Sequence, residues 1–278
     1  GCTYSVMDGF GLRNITPFAL ALGATNSQIG FLTSIPALFG NLTQLLTPKV
    51  MEKVSRRTIV SIGVIVQAAL WLPITLIGLL YFIIGVRSEL IVLGLILIYT
   101  LLVLVGAFLG PAWNSWMKDL VTTNRGRYFG LRNRTCGAVA LVAAIVGALI
   151  LDATRPINLF AGFAILFVIS FVFRSIGGIL FMRKYEPHFT PDEGYYFSFG
   201  QFVRRMWYNN FGKFTIYVTA LGFAVNVASP FITVYMLKQL NFSYVQFTLV
   251  TMGSAITGLL TPPAWGKLAD KYGSLNTI

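Results

Sequence analysis

Six polar side chains interrupt long apolar stretches of the sequence, and these are the residues that could do chemistry inside a membrane. They are Asp8, Arg13, Asn14, Asn114, Arg174 and Asn226. A charged group at the centre of a bilayer costs at least ~2.5 kcal/mol, so it should face a cavity or an oppositely charged partner. The asparagine amides are equally suited to binding a small solute and to joining neighbouring helices.

Asp8 and Arg13 are the charged residues of the first apolar stretch. Arg13 lies about ten residues from the far end of that stretch, or ~15 Å along a helix, which places it near the bilayer midplane. Arg13 could bind a substrate or counter-ion, or it could form a structural ion pair, and both roles stay open. The two residues are ~140° apart around an α-helix, so we expect them not to pair along one face. If protons drive the protein, Asp8 is the candidate for carrying them.

Arg174 lies eight residues before the end of the sixth apolar stretch. From there a long side chain can extend to the membrane surface while its methylene groups stay in the apolar layer. We therefore favour a structural role for Arg174.

The composition indicates a membrane protein. Of the 278 residues, 56% are hydrophobic and 11% are charged, whereas soluble domains carry about 25% charged residues. This excludes a soluble enzyme. The net charge of +12 lies between apolar stretches, so we expect a lipid bilayer as partner and no nucleic acid. One histidine, two cysteines and no P-loop or Gly-x-Ser-x-Gly motif predict no metal, no cofactor and no enzymatic activity.

Eight apolar stretches follow one another along the chain, and each is long enough to cross a bilayer as a helix. They lie at about 3–22, 27–47, 58–84, 90–117, 130–151, 158–182, 213–236 and 243–265. Their continuous apolar runs do not show the alternation of a transmembrane β-barrel. The sequence therefore predicts an all-α polytopic membrane protein.

The basic residues between these stretches are distributed unevenly. Sixteen fall in loops on one side and three in loops on the other, while Arg13 and Arg174 lie within stretches. Because loops rich in lysine and arginine stay in the cytoplasm, we expect the amino terminus to be cytoplasmic and the plasma (inner) membrane to be the location. The long connection at 183–212 is then cytoplasmic. Its second part has apolar and basic residues typical of an interfacial helix, with a hydrated loop as the alternative.

The second and eighth stretches resemble each other. Shifting the chain by 218 residues superimposes Gln28 on Gln246 and Thr33 on Thr251. Chance similarity between apolar segments would not carry polar residues along. The sequence therefore predicts an internal repeat in which the seventh and eighth stretches restart what the first two began, a parallel repeat like those of two-half transporters.

A loop motif follows each of these two stretches. The second copy runs Gly266-Lys267-Leu268-Ala269-Asp270-Lys271-Tyr272-Gly273, and the first runs from Pro48 through Glu52 and Lys53 to Arg56-Arg57. The pattern resembles the loop motif of the major facilitator superfamily, in which a glycine precedes an aspartate, a second glycine and basic residues. The first copy departs from it at Pro48, Glu52 and Ser55, and the second lacks the basic pair.

This resemblance implies twelve helices in two six-helix bundles with a substrate cavity between them. We accordingly interpret residues 1–182 as the N-terminal bundle, 183–212 as the linker and 213–278 as the first two helices of the second bundle. Because the chain begins without methionine and stops inside the motif, we expect a fragment. The implied function is secondary transport of a small solute by alternating access, in a monomer, with a proton or another ion as candidate coupling partner.

The resemblance also gives a role to the charged helix ends, because in the family the acid and bases of the motif hold the inner mouth closed. The expected gate residues are Pro48, Glu52, Lys53, Arg56, Arg57, Asp119, Gly266, Asp270, Lys271 and Gly273. We expect Glu52 and Asp119 to share Arg56 or Arg57, and Asp270 to meet helix ends of the other half. Two further functions stay open: an intramembrane lipid-modifying enzyme, and a receptor or scaffold of the same fold that does not transport.

Overall fold

A computed structural model describes residues 1–86, 89–121, 123–187 and 199–260, and all regular secondary structure in these ranges is helical. In chain order the helices are α1 (Cys2–Phe10), α2 (Ile15–Ala21), α3 (Asn26–Gln44), α4 (Thr47–Met51), α5 (Arg56–Ala69), α6 (Trp71–Phe82), α7 (Glu89–Leu120), α8 (Arg125–Thr154), α9 (Leu159–Met182), α10 (Phe199–Arg205), α11 (Asn210–Val234) and α12 (Tyr244–Leu260). A short 3-10 turn, Leu12–Asn14, joins α1 to α2, and a π-helical turn, Tyr235–Gln239, extends α11.

Within the described ranges, five helical segments are long and apolar enough to cross a bilayer. They are Arg56–Phe82, Glu89–Leu120, Gly126–Thr154, Leu159–Met182 and Asn210–Gln239, which match the third to seventh apolar stretches. The first stretch is divided between α1 and α2, the second forms α3, and α12 is the described part of the eighth. The prediction of an all-α polytopic membrane protein is confirmed.

The first stretch is broken between Phe10 and Leu12, at a glycine that packs closely against another helix. A Cβ atom at Gly11 would collide with the indole ring of Trp71, so only glycine allows the close approach. The side-chain amide of Asn14 donates to the carbonyls of Gly9 (3.3 Å) and Phe10 (2.9 Å), and so satisfies backbone oxygens next to the break. Asn14 is buried there and supports the break in the helix.

An aromatic cluster lies where α2, α6 and α9 meet and forms the centre of the main core. The rings of Phe18 and Phe167 meet edge to face with centroids 5.0 Å apart, and Trp71 stacks on Phe167 at 5.5 Å. Phe163 lies 5.1 Å from Phe18. These side chains are fully buried, so they fix the relative positions of the three helices.

The helices α3 and α12 begin with the same capping arrangement, in which two residues bond each other's backbone. At α3, the N–H of Gln28 donates to Thr25 Oγ1 (3.2 Å) and the N–H of Thr25 donates to Gln28 Oε1 (2.9 Å). Ser243 and Gln246 make the same two bonds at α12, at 3.2 and 2.9 Å. The threonine eight residues after each cap bonds the same two preceding carbonyls. The predicted repeat is confirmed at this level of local structure.

The bundle has two ends of unlike charge. The end at which α3, α7 and α9 finish and α5 and α8 begin carries most of the basic residues, and it is called the basic end below. The end at which α2, α6 and α8 finish is called the opposite end. The helix α10, which falls within the segment predicted to be interfacial, is seven residues long.

The helices α11 and α12 meet the first six stretches at the opposite end. The carboxylate of Asp152 accepts hydrogen bonds from the backbone N–H groups of Tyr244 (2.8 Å) and Val245 (2.9 Å), at the start of α12. The ammonium of Lys238 donates to the carbonyl of Ala24 at 2.9 Å. Most of α11 is exposed toward the basic end. Polar contacts therefore join the two parts of the chain at the opposite end.

Candidate functional site

At the basic end, the guanidinium of Arg56 ties together three parts of the chain. Its Nη1 lies 2.5 Å from Asp119 Oδ2 at the end of α7 and donates to Ser115 Oγ at 3.0 Å. Its Nη2 donates to the carbonyl of Pro187 at 3.1 Å. Glu186 Oε1 accepts from the Arg56 backbone N–H at 2.8 Å and lies 3.6 Å from Nε. These residues, the Arg56 cluster, join α5, α7 and the segment after α9.

Burial makes the Arg56 cluster stronger than an ordinary surface ion pair. The Arg56 side chain is 1% exposed, Glu186 is 15% exposed and Asp119 is 38% exposed. Trp116, one turn before the end of α7, is fully buried and donates from Nε1 to the carbonyl of Tyr185 at 3.1 Å. The indole thereby holds the segment that carries Glu186 against α7.

Asp119 was expected to contact Arg56 or Arg57, and it contacts Arg56. The prediction for Glu52 is wrong, because in the described part of the chain the second carboxylate at Arg56 is Glu186. Glu52, Lys53 and Arg57 are exposed. The sequence analysis missed Glu186 because it lies 130 residues from Arg56 in a segment interpreted as linker; an acid directly after the basic end of α9 was the available signal.

The other predicted gate residues divide into two groups. Pro48 lies in the first turn of α4, whose first residue, Thr47, is buried and donates to the carbonyl of Phe108 at 2.9 Å. This bond fastens the first copy of the loop motif to α7. The second copy, with Gly266, Asp270, Lys271 and Gly273, lies outside the described residues, so its expected contacts stay a prediction.

Asp8 and Arg13 form an ion pair, with Arg13 Nε 3.3 Å from Asp8 Oδ2. The expectation that they do not pair is wrong, because it assumed an unbroken α-helix. The helix stops at Phe10, and the 3-10 turn that follows changes both the rise and the rotation between the two residues. Both side chains keep partial exposure, at 39% for Arg13 and 26% for Asp8.

Arg174 is buried within the bundle, with a side chain that is 6% exposed. Its Nε donates to Gln67 Oε1 at 2.7 Å, and the Gln67 amide donates to the carbonyl of Leu102 at 3.1 Å. Its guanidinium carbon lies 5.1 Å from the ring centroid of Tyr4. The expected extension to the membrane surface is therefore wrong, because Gln67 on α5 offers an acceptor inside the bundle. Among the described residues, Arg174 has no carboxylate within ion-pair distance.

Arg174 and Arg132 line one cavity of about 240 Å³, called the Arg174 cavity below. The guanidinium carbon of Arg132 lies 4.4 Å from the ring centroid of Trp113. Tyr4 and Phe181 contribute further aromatic walls. A second cavity of about 290 Å³ shares Trp113, Arg132 and Phe181 with it and includes Lys184 at the basic end. The sequence analysis did not bring Arg132 and Arg174 together, because the contact depends on how α8 and α9 pack.

Asn114 and Asn226 both lie on exposed helix faces. The Asn226 amide donates to the carbonyl of Gly222 within α11 at 2.8 Å. Asn226 also lines a groove of about 560 Å³ between α3 and α11, together with Ser27 and Ser34. Asn226, a predicted solute-binding residue, therefore lies in a groove between the two parts of the chain. The amide of Asn14 instead bonds backbone carbonyls next to the helix break.

Comparison with protein families decides the class of this molecule. The sequence model of the Major Facilitator Superfamily matches residues 3–278. The chain belongs to the Major Facilitator Superfamily. A search of curated proteins and a search of solved structures each found no match.

Members of this superfamily are membrane transporters of small molecules, and this superfamily chain is an integral membrane protein. The two arginine-centred features described above, the Arg56 cluster and the Arg174 cavity, lie on its first six helical stretches. In the described part of the chain, no group of three or more histidine, cysteine, aspartate or glutamate side chains could hold a metal ion.

Proposed function

We propose that this superfamily chain is a secondary active transporter that moves a small solute by alternating access between two helical bundles. The observation that carries the proposal is the Arg56 cluster, which fastens the segment connecting the two bundles to the ends of α5 and α7. The same segment leads on along the chain to the second bundle. The cluster is therefore suited to coupling bundle movement to the state of the basic end.

The free energy that the contacts of the Arg56 cluster can contribute fits such a role. A charge-assisted hydrogen bond contributes about 1.5–3 kcal/mol, and a bias of about 1.4 kcal/mol between two conformers changes their ratio tenfold. The opposite end has its own polar contacts, from Asp152 to the start of α12 and from Lys238 to Ala24. Two ends with separate sets of breakable contacts are what alternate opening requires.

We propose that the basic end faces the cytoplasm, with the amino terminus on the same side and the plasma (inner) membrane as location. The sixteen-to-three distribution of basic loop residues supports this orientation. In this orientation we propose that residues 1–182 form the first bundle, 183–212 the cytoplasmic linker and 213–278 the start of the second bundle. The Arg56 cluster then belongs to a cytoplasmic gate, to which Lys53, Arg57 and the second motif copy contribute charge.

The Asp8–Arg13 pair is the proposed coupling element. Protonation of Asp8 would remove the negative charge that holds Arg13 and free the guanidinium for an anionic group. A pair that can open and close in this way is suited to linking a proton to a solute. Asn226, in the groove between α3 and α11, and Asn114, exposed on α7, are the neutral groups proposed to contact the solute. The transporter is proposed to act as a monomer.

Counterflow in liposomes tests the proposal. The full-length protein, loaded with an unlabelled candidate solute, should accumulate the labelled solute transiently, and Asp119→Asn should slow that accumulation while the protein still inserts. Neither an intramembrane enzyme nor a non-transporting receptor produces counterflow. A panel of solutes that includes anions, cations and neutral sugars, with no counterflow for any of them, would contradict the proposal.

A further inference from the structure

We infer that the Arg174 cavity is a binding site for a small organic anion with an aromatic or apolar body. Two arginines, Arg132 and Arg174, line this cavity. Among the described residues that line it or the adjoining cavity, none is an aspartate or a glutamate. A site whose described charged side chains are two cations is arranged for a ligand that brings the negative charge.

The burial of Arg174 is the observation that points most strongly to an anion. Its side chain is 6% exposed, in the interior of the membrane-spanning bundle. A buried guanidinium is normally paired with a carboxylate, because leaving the charge uncompensated is costly. In the described part of the chain its hydrogen-bond partner is the neutral Gln67, through Nε alone. The two terminal nitrogens are therefore available to a carboxylate or phosphate, which a planar guanidinium binds with two parallel bonds.

The remaining walls specify the body of the ligand. Tyr4, Trp113 and Phe181 line the cavity together with aliphatic side chains. Aromatic rings favour a flat apolar group, and a volume of about 240 Å³ limits the ligand to a small molecule. The ring of Trp113 also holds Arg132 in place, with 4.4 Å between the guanidinium carbon and the ring centroid. The guanidinium of Arg132 is thus held at the wall of the cavity for an incoming anion.

Glycine 110 provides a test that leaves both charges in place. Gly110 lines the cavity, and a Cβ atom added there would have no neighbouring atom within 4 Å. Gly110→Leu should therefore place its side chain in the cavity, and because Pro111 follows directly in the helix, the helix content and thermal unfolding of the variant are measured beside those of the unmodified protein. Gly130 on α8 is the matched control, since a Cβ atom there also meets open space but Gly130 does not line the cavity.

The experiment measures saturation binding of labelled benzoate to the full chain in phosphatidylcholine nanodiscs, with benzamide as the neutral molecule of the same shape. Benzoate should bind and benzamide should not compete. Arg174→Gln and Gly110→Leu should each weaken benzoate binding by about tenfold or more. Arg155→Gln, which removes an arginine at the opposite end, and Gly130→Leu should stay within about twofold of the unmodified protein. Arg132→Gln is the second charge variant, because Arg132 is only partly buried and its loss leaves the Arg174–Gln67 bond intact.

Nanodiscs with phosphatidylglycerol distinguish a soluble anion from a lipid headgroup. If a headgroup occupies the site, phosphatidylglycerol should displace benzoate and raise the melting temperature, and Arg174→Gln should remove that increase. Absence of both benzoate binding and the phosphatidylglycerol effect overturns the inference. Equal binding of benzoate and benzamide, or benzoate binding that survives both Arg174→Gln and Gly110→Leu, also overturns it.

The inference rests on the proposed function only where the bound anion is taken to be the transported solute, and two results separate them. Benzoate binding without benzoate counterflow leaves the anion site standing and removes its role in transport. Counterflow of another solute without benzoate binding leaves transport standing and removes the anion site.

Discussion

Removing both carboxylates of the Arg56 cluster should destabilise the protein by more than the sum of the two single changes. Asp119→Asn leaves the carboxylate of Glu186, 3.6 Å from Arg56 Nε. Glu186→Gln leaves the carboxylate of Asp119, 2.5 Å from Arg56 Nη1. The double variant removes both carboxylates described beside a guanidinium whose side chain is 1% exposed. Because the two acids share this one buried partner, each compensates in part for the loss of the other, and the largest penalty falls on the double variant.

The expected magnitudes follow from exposure and bonding. Asp119 is 38% exposed, so solvent screens its ion pair and Asp119→Asn should cost about 1 kcal/mol or less. Glu186 is 15% exposed and also accepts the backbone N–H of Arg56, so Glu186→Gln should cost about 1.5–3 kcal/mol. We expect the double variant to exceed their sum by about 1 kcal/mol, within the range observed for residues that share one partner.

A double-mutant cycle measured by denaturant unfolding in mixed micelles tests this expectation. Glu52→Gln is the matched control, because Glu52 is an exposed acid at the same end, and it should change the free energy of unfolding by less than about 0.5 kcal/mol. Single-variant losses that add up to the double-variant loss within about 0.3 kcal/mol would refute the idea that one buried arginine serves both acids.

Three further predictions concern orientation, coupling and the helix break. In a background without native cysteines, a cysteine at Arg155 should react with an impermeant maleimide in intact cells and one at Lys53 should not; labelling of the Lys53 site alone would reverse the orientation. Arg13→Ala should abolish counterflow while the protein inserts and stays monodisperse, and wild-type rates would remove Arg13 from the mechanism. Gly11→Ala should destabilise the protein by about 1–3 kcal/mol through collision with the indole ring, whereas Gly130→Ala should not, because a Cβ atom there meets open space, and thermal unfolding compares the two.

Much of the helical architecture could be predicted from the sequence, because it follows from local patterns. Long apolar runs predicted the third to seventh crossing segments, and polar residues repeated at a spacing of 218 predicted the likeness of α3 and α12, which share a capping arrangement in the structure. The resemblance to the family's loop motif assigned Asp119 to Arg56 or Arg57, two arginines on the same side of the membrane as the end of α7. These features depend on residues close in sequence or on which side a loop lies.

The contacts that could not be predicted depend on packing between distant segments. Gly11 cannot be replaced by a larger residue without collision because Trp71, sixty residues later, occupies the space that a Cβ atom would need. Arg174 is buried because Gln67 on another helix accepts its N–H. Glu186 reaches Arg56 because the segment after α9 folds back over α7. Hydrophobic periodicity carries no information about such pairings.

Alternating access can be tested most directly by locking the opposite end. Cysteines at Asn26 and Lys238, which are both exposed, joined by a reducible thiol crosslinker, would hold the two bundles together next to the point where the Lys238 ammonium meets the Ala24 carbonyl. A third cysteine at Asn114 reports access from the basic end, measured as its rate of labelling by an impermeant maleimide in inside-out vesicles. We expect crosslinking to raise this labelling rate severalfold and reduction to reverse it, because closing one end shifts the population toward opening of the other. An unchanged labelling rate after complete crosslinking would contradict the proposed mechanism.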